Sequence, residues 1–338
     1  MDIVLTHTTA LALMRRPYFY GKLGTVGRCS SELPAHMPTA AELDQAREEC
    51  SLLATLSGPV HVLVSGSNAR HASASMAAHA CKVALPPGAF VQLAPGIRCS
   101  SPALLAVQMA RSMSELRLAL FLAELLGLYA IDDDAEEGLV QRTRPLTTKA
   151  RICELLDALG SGPCVRKVRR ALARTCERAA SPMEAKLFVR VTSRPCDGGY
   201  GLAGVTLNDA LELERIGSEI GVLRVRKPDL LLLSPERDGE RPALRGVVLD
   251  YQGRLHADPD QVRADDERRN ELLAAGFKDY AIWKENYDSL AYMDDLMNNV
   301  RRDLGLPARR CSRKLAEKER AARQRLWEEL EAIDCVHW

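Results

Sequence analysis

Two carboxylates, Asp229 in "KPDLLLLS" and Asp250 in "LRGVVLDYQ", stand at the outer ends of two apolar runs joined by the polar turn "PERDGERPA". Runs of this length and composition read as β-strands. If they form a hairpin symmetric about Gly239 and Glu240, paired residue numbers share one sum, and Asp229 falls directly opposite Asp250. Directly opposed Cβ atoms lie about 4.5–5.5 Å apart. Carboxylates that close raise one another's pKa unless a cation sits between them. Oxygen ligands of this kind suit Mg²⁺ or Mn²⁺, which take one or two carboxylates and complete their shell with water and substrate phosphate. Side chains alternate along a strand, so Gln252 shares the face of Asp250 and adds an amide. A water activated by the cation beside a phosphodiester would be the nucleophile. Against this, two strands that each carry an Asp near one end also arise by chance. A slip of one residue in the long turn would send Asp229 to the opposite face.

The elements that position these residues follow from pattern. A chain of 338 residues is longer than one core usually fills, so two domains are expected. The formal net charge of +1 leaves any attraction to nucleic acid to local patches. Ten cysteines at irregular spacing with no CxxC pair remove the main support for a zinc ribbon or a thioredoxin site. Cys153, Cys164 and Cys176 read as small buried thiols on helices. The N-terminus has too short an apolar run and too early a charge for a signal peptide, and no segment reaches the roughly 18 apolar residues of a membrane span, which suggests the cytoplasm.

Residues 1–140 read as a mixed, mainly helical α/β domain. "THTTALALMRR", "TAAELDQAREECSLLATL", "SPALLAVQMARSM" and "SELRLALFLAELLGLYA" each have a Ser or Thr cap before an apolar helical pattern,. Strands are expected at "PVHVLVS", Ala89–Leu93 and Ile97–Cys99,. The acidic stretch "DDDAEEGLVQRTRP" at 132–145 reads as the linker. A second domain, 145–304, opens with "TTKARICELLDALG" and the basic helix "CVRKVRRALARTCER", whose Arg166, Lys167, Arg169, Arg170, Arg174 and Arg178 form either a solvated face or a phosphate-facing surface,. Helix, antiparallel strands, helix, strand and helix then give an α/β sandwich around a small mixed sheet. Residues 305–338 read as a long charged helix or a partly disordered arm.

The succession "SPMEAKL", "KPDLLLL", "VVLDYQGRLH", "ADDERRNELLAAGF", "DYAIWKEN" resembles the PD-(D/E)XK nuclease superfamily, in particular the small domains similar to very-short-patch-repair endonucleases, over residues 181 to about 304. The resemblance implies a restriction-endonuclease-like fold, cleavage of DNA and a divalent cation held by Glu184, Asp229 and Asp250. Gly253, His256, Asp265, Arg268, Leu272 and Gly276 match a Gly, a His and an "Asp-x-x-Arg-x-x-x-Leu-x-x-x-Gly" helix of the nearest relatives. Glu184 also completes a Ser-x-x-Glu capping box with Ser181. His256 is either a loop histidine or an acid or base near the scissile phosphate. Asp265 and Arg268 are expected to pair on the helix face and brace the site, and Trp283 to be core. Gln252 departs from the family's lysine, and Lys227 and Arg254 are the nearby cations that could replace it.

The N-terminal half, through "LTHTTALALM", "VHVLVS" and "LAPGIRCSSPALLAVQMA", is loosely similar to the antitoxin-like domain of abortive-infection proteins. That similarity implies a toxin partner or phage-defence setting. The sequence therefore supports a Mg²⁺-dependent DNA endonuclease, with a catalytically inactive nuclease-like DNA-binding regulator or antitoxin as the alternative.

Overall fold

The computed structural model describes residues 2–56, 58–66, 75–136, 138–214, 223–236, 243–253 and 259–338. The protein is mixed α/β with small mixed sheets and divides into two compact units, residues 1–173 with 335–338, and residues 174–334.

In the first unit β1 (Ile3–Leu5), α1 (His7–Arg15), a 3₁₀ stretch at Pro17–Thr25, α2 (Ala40–Glu49) and α3 (Ser51–Ala54) precede β2 (Val60–Val64) and β3 (Met76–Ala80). There follow β4 (Phe90–Ala94), β5 (Ile97–Ser100), α4 (Pro102–Met109), α5 (Glu115–Leu125), β6 (Tyr129–Ile131), β7 (Leu139–Gln141), α6 (Lys149–Leu159) and α7 (Pro163–Leu172). A five-stranded sheet runs in the order β3-β2-β1-β5-β4. Thr39, Ser101 and Ser114 cap α2, α4 and α5 as their sequences predict, each accepting a backbone N–H of the first turn,. Thr6, which precedes α1, makes no such bond; its hydroxyl meets the His7 ring and the Ser100 hydroxyl instead.

Two boundaries differ from the sequence reading. The acidic stretch at 132–145 does not separate the units. It holds the turn and second strand of the β6–β7 hairpin, and the buried Arg142 guanidinium donates to the Glu124 and Met14 carbonyls of the same unit. The basic helix α7 also belongs to the first unit, so the division falls about thirty residues later, at 173/174.

The second unit contains α8 (Pro182–Thr192), a 3₁₀ turn at Pro195–Asp197, β8 (Val205–Thr206), β9 (Leu211–Glu214), β10 (Leu223–Arg226), β11 (Leu230–Leu233) and β12 (Gly246–Gln252). It continues with α9 (Pro259–Ala274), β13 (Phe277–Trp283), α10 (Lys284–Asp288), α11 (Leu290–Asp303) and α12 (Arg313–Ala332). Its main sheet has the order β13-β12-β11-β8, with β12 and β13 parallel and the other pairs antiparallel. On the face shared by Leu231, Val248 and Phe277, Leu272 of α9 completes an apolar cluster with Leu213. Gly276 ends that helix at φ +84, a left-handed position that favours glycine,.

The charged C-terminal segment is neither an arm nor a separate domain along α12. Glu319, Ala322, Leu326 and Leu330 are buried, and the Pro195–Asp197 turn meets the helix so closely that a Cβ on Gly198 would overlap the Ala322 carbonyl. Gly198 also sits at φ +89. We expect Gly198→Ala to lower stability by about 3 kcal/mol through strain and overlap together, read as a drop in the urea midpoint. A midpoint equal to the parent's would show that the turn does not hold the helix.

Candidate functional site

The hairpin register is the symmetric one. Leu230 pairs with Leu249 and Leu233 with Gly246, so Asp229, one step beyond β11, continues the ladder opposite Asp250. The two backbones are cross-linked through these side chains. Asp250 Oδ1 accepts the Asp229 N–H at 3.0 Å, and Asp229 Oδ2 accepts the Tyr251 N–H at 2.7 Å. The run "LLLL" stays in the sheet because both its faces are covered for most of its length, and the proline before Asp229 supplies no N–H to continue the ladder.

Asp250 is 3% exposed, and its second oxygen, Oδ2, lies 2.6 Å from Arg268 Nη2. Arg268 thus pairs with Asp250 across α9 and β12; the expected Asp265–Arg268 brace lies outside the described residues, because the Asp265 side chain does. Gln252 shares the Asp250 face as alternation requires. With Asp250, Arg268, Arg269, Asp279 and Trp283 it lines a recess of about 40 Å³, room for about one water or small cation. Trp283 is thus a wall of this recess and only half-buried.

Glu184 is buried at the start of α8. Its backbone N–H donates to Ser181 Oγ at 3.2 Å, the cap half of the expected box. Its carboxylate does not return to the Ser181 N–H. Oε2 accepts the Ala180 N–H at 2.8 Å and the Asn208 amide at 2.7 Å. Asn208 was not legible in sequence. It lies at φ +52, donates to the Arg178 carbonyl as well as to Glu184, and its own N–H donates to the Pro228 carbonyl, one residue before Asp229. A lone Asn in a stretch without hydrophobic pattern gives no signal beyond its tolerance of left-handed backbone.

The three acids sense one another. Burial, then the Glu184 and Asp250 charges, push the Asp229 carboxyl up to about 8, with the Tyr251 N–H and Arg268 opposing. Burial raises Glu184 above its ordinary range, and Asp250 adds to the rise. Among the described residues no three His, Cys, Asp or Glu side chains form a ready metal cage. The donor chemistry suits a divalent cation all the same. Mg²⁺ needs only one or two carboxylates, and Asp229 stays raised despite Arg268 beside Asp250, so further positive charge would relieve it,.

The candidate cations distribute unevenly. Lys227 is exposed two residues before Asp229. Arg254 and His256 lie outside the described residues. Arg166, Lys167 and Arg170 belong to the first unit, and two of them are engaged there. Lys167 Nζ donates to the Ala110 carbonyl at 2.8 Å and to the Met113 carbonyl. Arg170 pairs with Glu115 at 2.7 Å, while Arg166 is exposed. For Lys167 the phosphate-facing reading gives way to a helix-end anchor, which is where a cation is favoured. Lys167→Met should cost about 1–2 kcal/mol of stability and leave the salt dependence of any DNA binding unchanged. A shallower salt slope in a binding titration would return Lys167 to the phosphate surface.

Comparison with protein-family models, curated proteins and solved structures finds no match to the chain. Among the described residues no helix is long and apolar enough to cross a membrane.

Proposed function

We propose that residues 174–334 form a restriction-endonuclease-like unit that hydrolyses DNA phosphodiesters with a divalent cation held by Asp229 and Asp250. The observation that carries this reading is the facing pair itself. Two carboxylates on adjacent strands are each bonded to the other strand's backbone, and Asp229 is driven toward protonation by burial and then by the Glu184 and Asp250 charges. Arg268 offsets part of that charge, and a cation would offset the rest; strongly shifted acids of this kind cluster at functional sites. The chemistry a Mg²⁺ or Mn²⁺ ion would supply is neutralisation of phosphate charge and acidification of the attacking water.

The chain's own groups then take definite roles. Asp229 and Asp250 would hold the ion. Glu184, with Oε2 committed to Ala180 and Asn208, would offer its other oxygen to the attacking water. The Gln252 amide positions the water but brings no charge. The charge that a lysine would bring at Gln252 is carried by Arg268, 2.6 Å from Asp250. Lys227, exposed two residues before Asp229, would contribute positive charge toward the DNA backbone.

One observation favours the second reading, a nuclease-like DNA-binding regulator without catalysis. The Arg268–Asp250 ion pair already neutralises one of the two acids, and ion capture must loosen it. A single assay separates the two. Purified chain is incubated with supercoiled plasmid and with single-stranded DNA in Mg²⁺, Mn²⁺ or EDTA, alongside a salt titration of binding. Metal-dependent cleavage lost in Asp229→Asn supports the endonuclease. Salt-sensitive binding without cleavage in any metal supports the regulator, and cleavage that persists in Asp229→Asn rejects this site.

A further inference from the structure

A cavity of about 940 Å³ lies wholly in the first unit, between the edge strand β3, the C-terminal half of α4 and the start of α7. Leu63, Leu104, Val107, Leu159 and Val165 supply much of its wall. Small-molecule sites have this character: apolar walls, a few convergent polar groups, and a volume of about 300–1,000 Å³.

Three imidazoles gather at one side. His7 and His79 both line the cavity, and their rings stack with centroids 3.6 Å apart and planes 15° apart. His79 Nε2 shares a hydrogen bond with His61 Nδ1 at 2.8 Å. The fold builds the group deliberately. Leu63 of β2 pairs with His79 of β3, which puts His61 on the same face two residues earlier,. His7 opens α1 at φ +50 with its Nδ1 3.1 Å from the Thr6 hydroxyl. Left-handed backbone is unfavourable for a non-glycine residue, and such conformations cluster at functional sites.

Stacked rings do not aim their nitrogens at one point, and the cluster is no metal cage among the described residues. Burial, then the neighbouring His79 and His61, push the His7 ring down to about 3. His7 is therefore neutral through the physiological range and offers an aromatic face in place of a charge.

Two further features face the same space. Gln108 lines the cavity and is half-buried there. Its amide has both donor and acceptor capacity for the edge of a heteroaromatic base. Arg111, one turn further along the chain, is exposed at the cavity. Beside it α7 begins after Gly162, which has no side chain to cap the helix, and Gly162, Cys164 and Val165 at that helix start line the cavity. Cation and helix start together suit a phosphate.

We propose that this cavity binds a nucleoside 5′-monophosphate, with its base stacked on the His7–His79 face against Gln108 and its phosphate between Arg111 and the start of α7. The test is calorimetric titration of the full chain with AMP, GMP, CMP and UMP in turn. At least one is expected to bind once per chain with Kd below about 1 mM, and its nucleoside about tenfold more weakly. Gln108→Leu should weaken binding about tenfold, and Val107→Trp, which fills the cavity, should remove it. Thermal unfolding checks that each variant is folded, and if Val107→Trp is not, Gln108→Leu decides. Asp229→Asn should bind as the parent does, which separates this site from the proposed nuclease site. The proposal is overturned by no saturable binding of any of the four, by binding that folded Val107→Trp or Gln108→Leu leaves intact, or by binding that disappears in Asp229→Asn.

Discussion

Asp250→Asn is expected to reduce metal-dependent DNA cleavage by on the order of 10³-fold while the chain stays folded. The choice of asparagine follows from what Asp250 holds. Its Oδ1 accepts the Asp229 N–H and its Oδ2 faces Arg268. An amide oxygen can keep the first contact and contributes no charge to a cation. Either substitution takes the carboxylate away from the Arg268 guanidinium, only 25% exposed,; alanine also leaves the Asp229 N–H without its acceptor, a further cost of about 1–3 kcal/mol,. Loss of cleavage in Asp250→Ala would then be confounded with unfolding. Initial rates on supercoiled plasmid, set beside the thermal midpoint of the same preparation, give the answer. A folded Asp250→Asn that cuts at the parent's rate would remove Asp250 from the chemistry.

The parts of this site that sequence disclosed are those governed by period and symmetry. Two apolar runs around a polar turn fix a register, and that register alone places Asp229 opposite Asp250 and Gln252 on the Asp250 face. Leu272 and Gly276 were singled out through the resemblance alone, and the structure gives each a local reason, an apolar position on a helix and a left-handed stop. The contacts that cross between elements were not. The Arg268 partner could be read only as the acid three residues before it, because helix spacing makes that pair local. The ion pair across to β12 needs the packing of α9 on the sheet. Asn208 joins Glu184 to the strand before Asp229 from within a stretch that has neither strand nor helix period. Strands β1 and β3 were missed in the same way. Three buried residues and "MAAHA" are too short or too small-sided to show alternation, and only their neighbours in the sheet define them. The acidic 132–145 stretch misled because charge and glycine mark hairpin turns as readily as linkers.

Raising the pH from about 5 to about 9 is expected to destabilise the metal-free chain and to tighten its hold on Mg²⁺. Both signs follow from Asp229, whose carboxyl is pushed up to about 8 from an ordinary 3.8. Between those values the folded chain keeps a proton that the unfolded chain has released. Stability is thus fully present below the unfolded pKa and is lost as pH climbs through the folded one. Glu184 is raised in the same direction and adds to the slope. The loss should be on the order of 4 kcal/mol across the interval. A cation reverses it, because binding requires the ionised carboxylate and releases the proton. For one released proton the apparent Mg²⁺ affinity should rise about tenfold per pH unit up to about pH 8 and level off above. Urea unfolding in EDTA and in Mg²⁺ at a series of pH values reads the first effect. Calorimetry of Mg²⁺ binding in two buffers of different ionisation enthalpy counts the proton. Asp229→Asn should flatten the metal-free slope and weaken Mg²⁺ binding together, since one group causes both. A slope that survives in that variant, or an Mg²⁺ affinity that does not change with pH, would mean that Asp229 is not the acid a cation relieves.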